Sequence, residues 1–233
     1  MDPVADARAL VAERFPAAVA AYLGSGVLSS RRTTTSDLDI VVVVDRPPAP
    51  FRESLRWREW PAELFVHDHL SLPEFFARDT RRRRPTLARM VADGVALTDR
   101  DGAAALYQDQ ARAVLTAGPP VLTVAELELC RYGLSDLLDD LAGSTDDGET
   151  AVISWTLWRQ TAELALLLAG SWLGTGKWLL RELRAADPAL AAELVASACH
   201  PQRLTAAADQ VLERAGGRLW AGYRASAPPA GRS

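Results

Sequence analysis

The sequence predicts an α+β protein in which a small mixed sheet is followed by an all-helical bundle. Three observations predict it. Asp37 and Asp39 open an unalternating apolar run, Ile40 to Val44, as in a strand covered on both faces. Glu63 to His67 alternates with period two. Beyond Gly118-Pro119-Pro120 every segment reads as helix, so the chain divides into residues 1–118, 119–225 and a tail, 226–233, of disordered composition.

The elements follow in order. Residues 3–14 have helical composition, and Ala17 to Leu23 reads as a short strand delivering Gly24. A second strand spans Asp37 to Val44 and stops at the proline cluster from Pro47 to Pro50. Phe51 to Trp60 reads as a polar connection, and Pro61 to Asp68 as a third strand with Glu63, Phe65 and His67 on one face. Ser71 and Glu74 form a capping box for a helix that ends at Arg81 to Arg84. A short helix over Thr86 to Ala92, an edge strand over Val95 to Thr98 and a helix over Asp101 to Ala117 complete the first half.

In the second half Thr123 and Glu126 form another capping box. Leu127, Cys130, Leu134, Leu138 and Leu141 recur with the helical period, and Asp136, Tyr132, Asp139 and Asp140 fall on the opposite face. Helices are expected over Glu149 to Leu173, Leu179 to Ala186, Pro188 to Ser197 and about 202–215.

With 233 residues and 48% hydrophobic content the chain can bury a substantial core. A net charge of -4 argues against general affinity for nucleic acid backbones and favours a small acceptor over a polymer. Cys130 and Cys199 make neither a disulfide framework nor a metal cluster. Acids in the first turns argue against a signal peptide, and no stretch reaches 18 apolar residues, so a cytoplasmic protein without a membrane partner is expected. Oligomeric state is not legible.

The chemistry concentrates between Tyr22 and Val44. Gly24-Ser25-Gly26 is a turn whose backbone can approach phosphate oxygens. Asp37 and Asp39, at i and i+2 of a strand, share one face and can hold one metal. Glu63 supplies a third carboxylate at the start of a further strand. The apolar residue, Gly-Ser, spacer and Asp-x-Asp pattern resembles the DNA polymerase beta type nucleotidyltransferase superfamily, especially its aminoglycoside and other small-molecule enzymes.

That resemblance implies transfer of a nucleoside monophosphate from an NTP, most readily ATP, to a hydroxyl of a small molecule such as an aminoglycoside-like antibiotic. Two Mg²⁺ ions would sit on Asp37, Asp39 and Glu63. Gly24 and Ser25 would hold the β and γ phosphates. Enzymes of this kind often carry an arginine three positions after the serine, where Leu28 stands here; Arg31 and Arg32 are the candidates to replace it. Lys177 is a further candidate phosphate ligand, although Ser171 and Trp178 exclude a P-loop. Asp136 is the candidate acceptor-side base. His67 and Asp68 are expected to be structural. The alternatives are a protein-modifying, antitoxin-like nucleotidyltransferase and a nucleotide-binding protein without catalysis.

Overall fold

Asp2 opens the first helix, α1 (Pro3–Arg14), by accepting the amides of Val4 and Ala5, with Pro3 at the first helical position where its missing N–H costs nothing. The computed structural model describes residues 2–30, 32–45 and 50–225. Arg31 and the tail from residue 226 lie outside them. The chain divides into two units, Met1–Pro119 and Pro120–Ser233.

The first unit is built on a five-stranded mixed sheet of β1 (Ala20–Leu23), β2 (Leu38–Val43), β3 (Phe51–Trp57), β4 (Trp60–His67) and β5 (Val95–Asp99). Its order is β3-β4-β2-β1-β5. The β2 and β4 strands pair in parallel, and the other neighbours pair antiparallel. One face carries Leu23, Ile40, Val42 and Leu64 against Leu10 and Val11 of α1. The other carries Tyr22, Val41 and Val43 beneath α2 (Ser71–Arg81), α3 (Thr86–Ala92) and α4 (Ala103–Ala117). Cover on both faces explains why β2 reads as continuous valine rather than as an alternating strand.

Three elements of the first unit differ from expectation. Phe51 to Trp57 is not a polar connection but the edge strand β3, paired residue for residue with β4 from Phe51↔Val66 to Trp57↔Trp60. As an edge strand it buries little, so arginines alternate with Glu53, Leu55 and Trp57 and mask the period. Its turn holds Arg58 at φ 53°, without the glycine or asparagine that normally announces a tight hairpin. The α2 helix is capped by Asp68 rather than Ser71: the Asp68 carboxylate accepts the amides of Leu70 and Ser71, and Ser71 Oγ accepts the Asp68 amide at 2.9 Å. The α4 helix starts two residues late, because Asp101 and Gly102 occupy positive φ.

Asp6 ties α1 to the β3–β4 hairpin. Only 7% exposed, it accepts Trp60 Nε1 at 3.0 Å and pairs with Arg58, while its carbonyl accepts Trp57 Nε1 at 3.1 Å. The Trp60 hydrogen bond above all, with Arg58, holds the Asp6 carboxyl below its usual range despite burial. A depressed carboxyl stabilises the fold above its ordinary pKa, and that contribution is lost as pH falls through the folded value. Asp6→Asn should therefore melt at a lower temperature at neutral pH and show a shallower decline on acidification, measured as thermal midpoint against pH.

The second unit packs α5 (Val124–Gly143), α6 (Asp147–Leu168), α7 (Lys177–Ala186), α8 (Pro188–Ser197) and α9 (Pro201–Arg214) around Leu134, Leu157, Leu183, Leu194 and Val211. The capping box at Thr123 and Glu126 is present. The α6 helix ends at Leu168, short of Leu173, where Gly170 turns to φ 61°. After α9 the chain returns to α5: Arg131 donates to the carbonyls of Gly216 and Gly217, and Tyr132 stacks on Tyr223 and Trp220. No helix among the described residues is long and apolar enough to cross a membrane.

Candidate functional site

Parallel pairing places Asp39 directly beside Glu63 in the β2–β4 register, and paired residues of adjacent strands project from the same face. Asp37 lies two residues upstream of Asp39 on that face. The three carboxylates each offer an oxygen within 4.8 Å of the others, all on half-buried residues. Three hard oxygen donors so close repel one another unless positive charge offsets them, and their number and kind fit Mg²⁺. The sheet thus brings together the three predicted metal ligands.

Glu63 also meets the edge strand. Arg52 of β3 pairs with its Oε2, and Ser54 Oγ donates to Oε1 at 3.5 Å. The Arg52 guanidinium lies 4.9 Å from the Phe65 ring centroid, so it is held by an aromatic face as well as by charge. From sequence, Arg52, Arg56 and Arg58 are equal candidates to pair with Glu63, and the β3–β4 register selects Arg52; the alternation of Glu53, Leu55 and Trp57 is the signal that would have found β3.

Gly24 abuts the acidic site. Its amide donates to the Asp39 carbonyl at 2.8 Å, and a Cβ built on it would lie 3.4 Å from Asp39 Cβ. The chain then enters a 3₁₀ turn, Ser25–Leu28, with Ser25 exposed. The Gly24 amide is therefore committed to the sheet rather than free for a phosphate. Arg32 stacks 4.6 Å from the ring centroid of Trp60, a residue of the α1-side core.

The second unit carries the remaining candidates. Asp136 lies on α5 and Lys177 is the exposed first residue of α7. On the same acidic face of α5, Asp139 meets Arg218 at 3.3 Å, and Arg218 is shared with Asp209.

His67 is structural in its packing and unusual in its chemistry. It is 3% exposed, sits edge-on to Phe75 with centroids 4.8 Å apart, and its Nδ1 has no hydrogen-bond partner. Burial pushes its pKa down to about 4, with Arg78 adding to the shift and Asp68 opposing it. The unfolded chain takes up this proton near pH 6.5 and the folded chain does not, so stability falls between about pH 6.5 and 4. The loss amounts to something on the order of 3 kcal/mol. His67→Phe should remove this part of the acid limb, as read by urea denaturation at each pH.

No family model matches the chain, and no curated protein matches it. Among solved structures it is similar to a nucleotidyltransferase-like protein from Exiguobacterium sibiricum 255-15, with 13% identity over 92% of this chain and 75% of that one and a TM-score of 0.47. The functional reading rests on the geometry of the site itself.

Proposed function

We propose that this protein is a Mg²⁺-dependent nucleotidyltransferase that moves a nucleoside monophosphate from an NTP, ATP first among them, to a hydroxyl of a small molecule. The observation that carries the proposal is the convergence of Asp37, Asp39 and Glu63 within 4.8 Å on adjacent strands, next to the Gly24-Ser25 turn. Bound there, Mg²⁺ would neutralise phosphate charge and favour an ionised acceptor oxygen.

The chain's own groups have separable tasks. Asp37 and Asp39 hold the cation from β2. Glu63, fixed between Asp39 and Arg52, accepts the acceptor's proton, and Arg52 and Ser54 keep its carboxylate aimed at the shared face. Ser25 and the amides that open the 3₁₀ turn hold the departing phosphates. Aminoglycosides are one acceptor class to be offered.

The test is pyrophosphate release by the full chain with ATP or GTP, Mg²⁺ and a panel of hydroxylated small molecules that includes aminoglycosides, coupled to mass analysis of the products. Acceptor-dependent pyrophosphate with a nucleotide-bearing product is the expected result. A nucleotide mass on protein in place of small molecule would shift the assignment to protein modification. Nucleotide binding with no pyrophosphate from any acceptor would overturn transfer altogether.

A further inference from the structure

A cavity of about 310 Å³ lies on the face of the sheet that carries the three carboxylates, between the β3–β4 edge and helices α2 and α3. Phe65, His67, Phe75, Leu87 and Met90 line it, with Arg52 where it meets the acidic site. Phe65 and His67 follow Glu63 at two-residue steps on β4, so the cavity begins one side chain beyond the carboxylates. Met90 lies near both: its Cγ is 3.8 Å from the position a Cβ would take on Gly24. The polar atom that its walls leave unsatisfied is Nδ1 of His67, on a residue 3% exposed.

Resting on the nucleotidyltransferase reading, we infer that this cavity is the acceptor site and that the acceptor is an aryl alcohol: a flat ring bearing the reacting hydroxyl at one end and a hydrogen-bonding group at the other. The order β3-β4-β2-β1-β5 puts Gly24 and Ser25 on the β1 side of the carboxylates and the cavity on the β4 side. In an in-line displacement the attacking and leaving oxygens lie on opposite sides of the phosphorus. Phosphates leaving toward Ser25 therefore require an acceptor arriving from the cavity. The acceptor oxygen forms a bond to the α phosphorus, the bond from that phosphorus to the bridging oxygen breaks, pyrophosphate departs with the electron pair, and the proton passes to Glu63 and then to water.

The walls select the ring. Phe65 and Phe75 offer aromatic surfaces, and stacking or edge contacts favour a planar partner. Arg78 lies 3.9 Å from the Phe75 ring centroid and Arg52 covers Phe65, so two guanidinium groups against one acid of the lining, Asp79, leave the cavity wall net positive and disfavour a polycation. The volume stands at the lower end of the roughly 300 to 1,000 Å³ usual for ligand sites, enough for a bicyclic ring and too little for a chain of sugars. The unpaired His67 nitrogen, closed to water in the empty cavity, would meet the ring's distal polar group by a turn of the imidazole, because a buried polar atom left unsatisfied is costly.

The probes are 5-hydroxyindole, which carries a hydroxyl and a distal N–H, and 2-naphthol, which lacks the N–H. With the full chain, calorimetry should show tighter binding of 5-hydroxyindole, equally in the wild type and in Asp39→Asn. Thr86→Trp, at an exposed lining position, fills the cavity without replacing Asp37, Asp39 or Glu63 and should weaken binding at least tenfold with helix content and melting unchanged. Should Thr86→Trp fail to fold, Met90→Phe fills the same space. His67→Phe should erase the preference for 5-hydroxyindole. With ATP and Mg²⁺, pyrophosphate should appear in step with 5-hydroxyindole consumed, and cease in Thr86→Trp. Equal binding by the filled variant, no binding by the wild type, or transfer to an aminoglycoside that the filled variant does not slow would each overturn the inference. Ring binding lost on filling, without pyrophosphate from any acceptor, would overturn the transfer reading and the acceptor role with it, while the cavity would stand as a ring site.

Discussion

Asp39→Asn is expected to lower nucleotide transfer by about a thousandfold or more and to abolish stabilisation by Mg²⁺. Asp39 is the carboxylate between the other two, next to Asp37 along β2 and opposite Glu63 across the β2–β4 register. An amide there keeps the shape and one oxygen but removes the charge that a hard cation requires. A metal contributes several kcal/mol of charge stabilisation, and each 1.36 kcal/mol is about tenfold in rate. In thermal melts the wild type should gain stability with Mg²⁺, approaching roughly 2.7 kcal/mol at a hundredfold excess over the dissociation constant. The variant should show no such gain. Turnover within tenfold of wild type in Asp39→Asn would remove the basis for the proposed reaction.

A large stability effect in the first unit, away from the carboxylates, is expected at Gly94, between α3 and β5. A Cβ on Gly94 would stand 2.3 Å from the Met90 carbonyl oxygen, 3.1 Å from the Leu23 carbonyl oxygen and 3.2 Å from Tyr22 Cβ. Two of these are backbone atoms of packed elements, which cannot rotate away as a flexible side chain could. Gly94→Ala should cost about 3 kcal/mol, at the upper end for overpacking, and lower the melting temperature by roughly 10 °C. Gly26→Ala is the matched control, since nothing lies within 4 Å of its Cβ position. Urea denaturation of the two variants side by side decides the matter; equal midpoints would show that α3 and β1 separate more easily than their packing implies. Because Met90 and Leu23 adjoin Gly24, Gly94→Ala should also impair transfer, whereas the Asp6 variant should not.

The carboxylate cluster was readable because its residues sit in strong local signals. Asp37 and Asp39 stand out against the depletion of aspartate from strands, and Glu63 heads a visibly alternating segment. Their convergence needed only that the two strands be neighbours, which the parallel β2–β4 pairing provides. The edge strand β3 was not legible, because arginine at 52 and 56 reads as solvent-facing loop and the turn at Arg58 carries no glycine. With β3 went the choice of Arg52 over Arg56 and Arg58 as the partner of Glu63, and one side of the cavity. The start of α2 at Ser71 was legible but its cap was not, since Asp68 and Ser71 fulfil the reciprocal bonding assigned to Ser71 and Glu74. The cavity itself depends on how α2 and α3 lie over β4, a tertiary fact with no periodicity of its own.

The parallel alignment of β2 and β4 has a consequence for any preparation of this protein. Side chains alternate between faces, so sliding β4 by one residue would send Glu63 to the side covered by α1 and bring an apolar neighbour beside Asp39. Sliding it by two would keep the face and set Phe65 against Asp39. Either misalignment would preserve strand and helix content, leaving circular dichroism almost blind to it, while dismantling the carboxylate cluster completely. Under the proposed reaction, specific activity is then a gauge of strand alignment: an inert sample with a native spectrum would point to molecules that folded one step out of place.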